Sequence, residues 1–166
     1  MRIFLVGFMG CGKSSLGKRL AKKLNYSFLD LDCRLEELIG MTVSDAFDTH
    51  GEEHFRQMEK KVLHETFGLR NTIIATGGGT PCYFDNMEQM KNNGVTVYLK
   101  MSPLSLSYRL RYASSNRPLV KDLTGSDLEQ FVDQKLRERE PVYAQSHVII
   151  KGESAKPDQI ISLLFG

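Results

Sequence analysis

The sequence predicts an α/β fold, with a five-stranded parallel sheet between two layers of helices. Short apolar runs rich in β-branched and aromatic residues alternate with helical stretches, which is typical of parallel strands joined by crossover helices. The predicted strands are Ile3–Val6, Ser27–Leu31, Thr72–Ala75, Val95–Leu99 and His147–Lys151. The predicted helices are Gly12–Leu24, Glu52–Phe67, Asp85–Asn93, Pro103–Arg111, Ser126–Glu140 and Pro157–Leu164. Because parallel sheets bind ligands beyond the carboxyl ends of their strands, residues that follow a strand are the functional candidates.

The composition is that of one ordinary globular domain spanning residues 1–166. Hydrophobic residues make up 41% and charged residues 25% of the chain, and the net charge is +2, so we expect neither a nucleic-acid nor a membrane partner. The apolar runs are too short to span a bilayer, and the chain enters a strand at once, so we expect no signal peptide. The three cysteines lack metal-ligand spacing, which favours free thiols in the cytoplasm.

The first strand and the first helix flank a phosphate-binding motif. Residues Gly7–Ser14 fit the pattern G-x-x-x-x-G-K-[ST], in which glycines let backbone N–H groups surround an anion at a helix N-terminus. Lys13 would reach the β- and γ-phosphates, and the Ser14 hydroxyl would hold Mg²⁺. Glycine-rich turns also join strands to helices without any ligand, but the motif, strand and helix together predict binding of a nucleoside triphosphate.

Two carboxylates, Asp30 and Asp32, follow the second strand. In an extended segment residues i and i+2 share a face, so we expect both to point the same way. One would hold Mg²⁺ through water, and the other would face a hydroxyl that loses its proton. The alternative is that one of them caps a helix that starts near Arg34. Since the third strand ends without an aspartate, Asp30 would have to supply the negative charge at the metal.

Other candidates lie on three further segments. The run Gly77–Gly79 follows the third strand and would let a ligand approach the backbone, although such a run is often only a turn. Arg56 and Arg139 are each, taken singly, more often solvated than functional. The helix-rich segment 32–67 suggests a substrate-binding insertion. The polar segment 112–125, with Arg117 at its centre, suggests a lid that closes over the site.

Six motifs in this order resemble the shikimate kinase family of bacteria, and the likeness covers nearly the whole chain. They are Gly7–Ser14 with Ser15, Asp30-x-Asp32, Gly51-Glu52-Glu53-x-Phe55-Arg56-x-x-Glu59, Gly77-Gly78-Gly79, Arg117-Pro118-Leu119 and Arg139-x-Pro141-x-Tyr143. The resemblance implies a P-loop fold like that of nucleoside-monophosphate kinases. It also implies ATP-dependent phosphorylation of the 3-hydroxyl of shikimate, a step in aromatic amino-acid biosynthesis.

The resemblance also implies a role for each candidate residue. Asp32 would bind the shikimate hydroxyls and act as the general base, with Lys13 and Arg117 as the other catalytic residues. Ser14 would ligate Mg²⁺, and Asp30 would order the water around it. Shikimate would be bound by Asp32, Arg56, Gly78 and Arg139. ATP would be bound by Gly10, Cys11, Gly12, Lys13, Ser14, Ser15 and Arg117. A site contained in one chain favours a monomer.

Some alternatives stay open at the level of sequence. Either Arg109 or Arg111 could stack on adenine. A kinase resembling gluconate kinase would also need to bind a carboxylate and hydroxyls, although the Arg56 and Arg139 motifs favour shikimate. A GTPase switch or a non-catalytic nucleotide-binding module is a third possibility. It is disfavoured because the sequence lacks an Asn-Lys-x-Asp motif and contains Lys13, Asp32 and Arg117.

Overall fold

The computed structural model describes residues 1–112, 119–120 and 122–166. In this part of the chain five strands form one sheet in the order β2-β3-β1-β4-β5, and every neighbouring pair is parallel. The strands are β1 (Arg2–Val6), β2 (Ser27–Asp30), β3 (Thr72–Ala75), β4 (Val95–Lys100) and β5 (Val148–Lys151). The predicted parallel α/β fold is therefore confirmed. Strand order depends on packing between distant segments, which sequence periodicity does not reveal.

Seven α-helices connect and cover these strands in the described ranges. They are α1 (Lys13–Leu24), α2 (Leu31–Ile39), α3 (Val43–Glu65), α4 (Asn86–Asn93), α5 (Pro103–Tyr112), α6 (Gly125–Tyr143) and α7 (Pro157–Phe165). Short 3₁₀ turns lie at Thr66–Gly68, Thr80–Cys82 and Gly152–Ser154. None of the described helices combines the length and the hydropathy that crossing a membrane would require.

The hydrophobic core centres on β1, whose residues Ile3 to Val6 are completely buried. Helix α1 packs across β2 and β3, and it comes close to the sheet because Gly17 has no side chain. A Cβ atom built on Gly17 would lie 2.6 Å from a ring carbon of Phe28 and 3.1 Å from a methyl carbon of Leu5. This close approach fixes the helix that carries the phosphate-binding motif against the end of the sheet.

The segment between β2 and β3 differs from the prediction. Helix α2 starts directly after β2, and α3 starts at Val43 rather than at Glu52, with the Thr42 side chain accepting a hydrogen bond from Asp45 N at 3.1 Å. Gly51 (φ 80°, ψ 167°) interrupts the helical conformation inside α3. The helix predicted from Glu52 is therefore the part of α3 that follows this kink.

Helix α6 is longer than predicted at its C-terminal end. The predicted helix ended at Glu140, just before Pro141, and a proline lacks the N–H that continues the helical hydrogen bonds. The helix instead runs through Pro141 to Tyr143, which is completely buried. The burial of this large side chain offsets the lost hydrogen bond. The predicted Arg117 and half of the predicted lid 112–125 (residues 113–118 and 121) lie outside the described residues.

Candidate active site

A cavity of about 470 Å³ lies beyond the carboxyl ends of β1, β2 and β3. Nearly all the predicted site residues that the structure describes line it. They are Gly10, Gly12, Lys13, Ser14, Ser15, Asp30, Asp32, Arg56, Gly78 and Arg139. Cys11 is the exception: its side chain is buried, with the sulfur 3.7 Å from Lys13 Nζ. The fold thus joins five separate stretches of sequence around one space.

The phosphate-binding loop has the backbone conformation that its glycines allow. Gly10 (φ 81°) and Gly12 (φ 94°) lie in the left-handed region, which other residues avoid because of their Cβ atoms. Lys13 is buried, and its Nζ donates to the carbonyl oxygens of Gly7 at 2.6 Å and Phe8 at 3.0 Å. The lysine therefore bonds to carbonyls of its own loop, at the base of the space where an anion would sit.

Asp30 is at the same time a helix cap and a partner of the loop. Its Oδ1 accepts from the backbone N–H of Asp32 at 3.0 Å and of Cys33 at 3.3 Å, which caps α2. Its Oδ2 accepts a hydrogen bond from the Ser14 hydroxyl. A hydroxyl beside a carboxylate is an oxygen donor set of the kind that Mg²⁺ uses when it also binds phosphate and water. The residues present therefore fit a magnesium ion.

Asp32 reaches the cavity in a different way from the predicted one. Strand β2 ends at Asp30, and Asp32 lies in the first turn of α2, so the two carboxylates do not share a strand face and that prediction is wrong. Asp32 and Asp30 line the same cavity because the chain turns into the helix between them. A Cβ built on Gly77 would lie 3.1 Å from Asp32 Oδ1, which places this carboxylate against the glycine run.

Arg56 is buried in an aromatic and acidic setting on α3. Its guanidinium carbon lies 4.1 Å from the Tyr83 ring centroid and 5.2 Å from that of Phe55. Its Nη1 donates to Glu59 Oε1 at 3.0 Å. Burial alone would lower the pKa of Arg56, but the charge and hydrogen bond of Glu59 raise it above its usual value, with smaller effects from Tyr83 and Glu52. Arg56 is therefore held charged inside the protein.

Glu59 is a site residue to which the sequence analysis assigned no role. Its side chain is 3% exposed, and its second oxygen accepts from Thr80 Oγ1 at 2.8 Å. This carboxylate thus connects α3 to the turn after β3 and fixes one edge of the Arg56 guanidinium. The signal in the sequence was the spacing of three residues between Arg56 and Glu59 on one helix, which brings their side chains together.

Arg139 enters the cavity from α6. It is 4% exposed, and its guanidinium carbon lies 5.6 Å from the Phe8 ring centroid. Two guanidinium nitrogens, Arg56 Nε and Arg139 Nη1, are buried and find no hydrogen-bond partner among the residues that the structure describes. Buried donors are normally paired, so this end of the cavity is suited to an anionic ligand that supplies acceptor oxygens.

The glycine run after β3 makes room for these charged groups. A Cβ on Gly79 would lie 2.5 Å from Arg56 Nη1, and one on Gly78 would lie 3.4 Å from Arg139 Nη1 and 3.0 Å from Met9 N. One on Gly77 would lie 2.8 Å from Glu59 Oε2. From the sequence, this run was predicted to let a ligand approach the backbone. The structure adds that side chains of the protein itself occupy the space that the missing Cβ atoms leave.

Comparison with known proteins places this geometry in a family. The family model described as shikimate kinase matches residues 9–165. A shikimate kinase of Bacteroides thetaiotaomicron is 44% identical over 153 residues, which cover 92% of this chain and 87% of that protein. The chain belongs to the shikimate kinase family. It is accordingly a phosphotransferase that uses ATP, and the family predicted from the six motifs is confirmed.

Solved structures of shikimate kinases have the same fold. The crystal structure from Bacteroides thetaiotaomicron aligns with a TM-score of 0.94 at 40% identity, covering 100% of this chain and 99% of that one. A shikimate kinase of Acinetobacter baumannii in complex with shikimate aligns with a TM-score of 0.88 at 33% identity, covering 99% and 90%. A deoxyadenosine kinase of M. mycoides, 16% identical with a TM-score of 0.64, shares the fold alone.

The structure also distinguishes Arg109 from Arg111, either of which could stack on adenine as far as the sequence shows. A Cβ built on Gly12 would lie 3.2 Å from Arg109 Nη1, so the Arg109 guanidinium lies over the phosphate-binding loop. Arg111 instead pairs with Glu129 at 3.0 Å on the surface. Of the two, Arg109 is the one placed beside the loop.

Proposed function

We propose that the chain transfers the γ-phosphoryl group of ATP to the 3-hydroxyl of shikimate, giving shikimate 3-phosphate and ADP. One observation carries the proposal: a single cavity contains a phosphate-binding loop and two buried arginines, with two guanidinium nitrogens unpaired in the described part of the chain. The family supplies the identity of the substrates, and the cavity supplies chemically suitable partners for each.

The carboxylate of shikimate would lie between Arg56 and Arg139. A small anionic polyol offers little apolar surface, so its recognition depends on charge-assisted hydrogen bonds to arginine and on contacts to its hydroxyls. Arg56 Nε and Arg139 Nη1 are the donors left for that carboxylate. The Gly78 backbone and the Asp32 carboxylate, which line the same cavity, would contact the rest of the ring.

Asp32 would act as the general base. The 3-hydroxyl oxygen attacks the γ-phosphorus, its proton passes to the Asp32 carboxylate, and the bond from the γ-phosphorus to the β–γ bridging oxygen breaks as ADP leaves. Catalysis of this kind depends on positioning and on charge stabilisation. Lys13 Nζ would exchange its bonds to the Gly7 and Phe8 carbonyls for phosphate oxygens. Arg117 would stabilise the transferring phosphoryl group once the lid closes.

Backbone N–H groups of Gly10–Ser15 would hold the phosphates of ATP. Ser14 would ligate Mg²⁺ directly, and Asp30, already bonded to Ser14, would hold a water of the ion. The bound ion would neutralise charge on the β- and γ-phosphates. We further propose that the enzyme is a monomer, because the residues that would bind both substrates come from one chain, and that it is cytoplasmic, because its three cysteines are free thiols.

Release of ADP by the purified protein with Mg-ATP tests this function. Shikimate should stimulate ADP formation and yield shikimate 3-phosphate, whereas gluconate, which also carries a carboxylate and hydroxyls, should not. If gluconate stimulated ADP formation and shikimate did not, the protein would instead be a kinase that resembles gluconate kinase. ADP formation that neither acceptor affects would refute the proposal.

A further inference from the structure

Tyr143 is a buried tyrosine placed one helical turn after Arg139 on α6. Residues four positions apart on a helix lie on the same face, so both side chains point from α6 toward the turn after β3. The Tyr143 side chain is completely buried, and its hydroxyl donates a hydrogen bond to the carbonyl oxygen of Gly78. Burial raises the pKa of Tyr143, while the nearby charge of Arg139 opposes that rise. The phenol thus stays protonated and remains a donor.

This hydrogen bond joins α6, which carries Arg139, to the glycine run after β3, which packs against Arg56. A Cβ on Gly78 would lie 3.4 Å from Arg139 Nη1, so Gly78 lies between the guanidinium and the phenol of the same helix face. Because a peptide unit is planar, fixing the Gly78 carbonyl also fixes the N–H of Gly79. Gly79 is the residue against which the Arg56 guanidinium packs, 2.5 Å from where its Cβ would be. The Tyr143 hydroxyl is thus connected, through Gly78 and Gly79, to residues that lie against both guanidinium groups.

We propose that Tyr143 is a positioning residue for the acceptor, because its hydroxyl holds Gly78 against α6 and thereby sets the spacing between Arg139 and Arg56 for a carboxylate. The inference rests on the proposed function in one respect, namely that an anionic acceptor binds between those arginines. Tyr143 itself does not line the cavity. It acts through Gly78, so removal of its hydroxyl should weaken acceptor binding selectively.

Tyr98 provides a matched control. It too is a buried tyrosine, its ring centroid lies 5.1 Å from that of Tyr143, and its hydroxyl also donates to a residue near Arg139. The residue that accepts this hydrogen bond is Glu140, which also forms an ion pair with Lys100 at 3.0 Å. The Tyr98 hydroxyl thus stabilises α6 without touching the glycine run. Tyr98 is therefore a buried tyrosine like Tyr143, but its hydroxyl does not bond to the glycine run that lies against Arg56 and Arg139.

The test compares Tyr143→Phe with Tyr98→Phe by steady-state kinetics and thermal unfolding. Tyr143→Phe should raise the KM for shikimate about three- to tenfold, the range expected for one lost hydrogen bond, and leave the KM for ATP within about twofold. Each variant loses one buried hydrogen bond, so both should lower Tm by similar amounts. Tyr98→Phe should nevertheless leave the KM for shikimate and the KM for ATP unchanged. An unchanged KM for shikimate in Tyr143→Phe, or equal rises in both variants or for both substrates, would overturn the proposal.

A double-mutant cycle supplies a second measurement. If Tyr143 acts through the placement of Arg139, then Tyr143→Phe should change shikimate affinity less in an Arg139→Lys background than in the wild type. Full additivity would show that the hydroxyl has no part in placing that arginine. Failure of the proposed function would look different, because the wild-type protein itself would then form no ADP in response to shikimate.

Discussion

The two ends of the cavity are built in different ways. The phosphate end comes almost entirely from one continuous stretch, Gly7–Ser15, and its conformation depends on backbone angles open to glycine. The acceptor end combines side chains from α3, the turn after β3 and α6, held by buried charge pairs and close packing. Substitutions at the first end should therefore act through the backbone, whereas those at the second should act through charge and space.

The largest expected effect is a loss of turnover that leaves ATP binding nearly unchanged. Asp32→Asn should lower kcat about 10²- to 10⁴-fold, because an amide cannot accept the hydroxyl proton. The affinity for an ATP analogue, measured by calorimetry, should change less than about twofold. Glu36→Gln is the matched control, since Glu36 is another carboxylate lining the cavity, and its Oε1 accepts from the backbone N–H of Val43 at 3.4 Å. Near-normal kcat in Asp32→Asn would exclude an essential base at this position.

The two ends of the cavity also differ in how much of each could be predicted from the sequence. The phosphate end was predicted residue by residue, because its function resides in a local motif between a strand and a helix. At the acceptor end, Arg56 and Arg139 were indistinguishable from surface arginines until family motifs singled them out. Their meeting depends on the strand order and on the close approach that Gly78 and Gly79 allow. The role of Glu59 was missed because the helical spacing from Arg56 indicates only an ion pair, whereas the bond to Thr80 depends on how α3 packs against the turn after β3.

The second prediction concerns Arg139, whose Nη1 is unpaired among the described residues. Arg139→Ala should raise the KM for shikimate by a factor that corresponds to about 2–5 kcal/mol, since the buried substrate carboxylate would lose one charged partner. The KM for ATP should stay nearly constant. Kinetics with each substrate varied in turn would reveal this split, and a proportional rise in both KM values would contradict it.

The third prediction uses the pairing of Arg56 with Glu59. Arg56→Ala should weaken shikimate binding as Arg139→Ala does, but it should also destabilise the fold by about 3–5 kcal/mol, because Glu59 would be left charged and buried. Denaturant unfolding measures this difference. The double variant Arg56→Ala/Glu59→Ala should recover much of the stability and none of the shikimate affinity. Equal stability of the two single arginine variants would show that the ion pair has no such role.

The fourth prediction contrasts a glycine from each end. Gly79→Ala would place a methyl group 2.5 Å from Arg56 Nη1, and overpacking of this kind costs about 1–3 kcal/mol, so shikimate affinity should fall. Gly10→Ala would force a residue with a side chain to φ 81°, at a cost of about 1–2 kcal/mol, so ATP affinity should fall instead. Isothermal titration calorimetry of each variant with shikimate and with an ATP analogue measures which of the two affinities falls. Parallel losses in both variants would mean that the ends are not independent.

The smallest expected effect tests the outer edge of the phosphate end, where two exposed arginines lie two residues apart on α5. Arg109 lies over the loop, with Nη1 3.2 Å from where a Gly12 Cβ would be, so its planar guanidinium can stack on the nucleotide base. Such a contact is worth about 0.5–1 kcal/mol at an exposed site, and Arg109→Ala should raise the KM for ATP about two- to fivefold. Arg111→Ala, which breaks the surface pair with Glu129, should leave that KM unchanged. The reverse result would assign the base contact to Arg111 and would require the guanidinium of Arg111 to leave Glu129 when ATP binds.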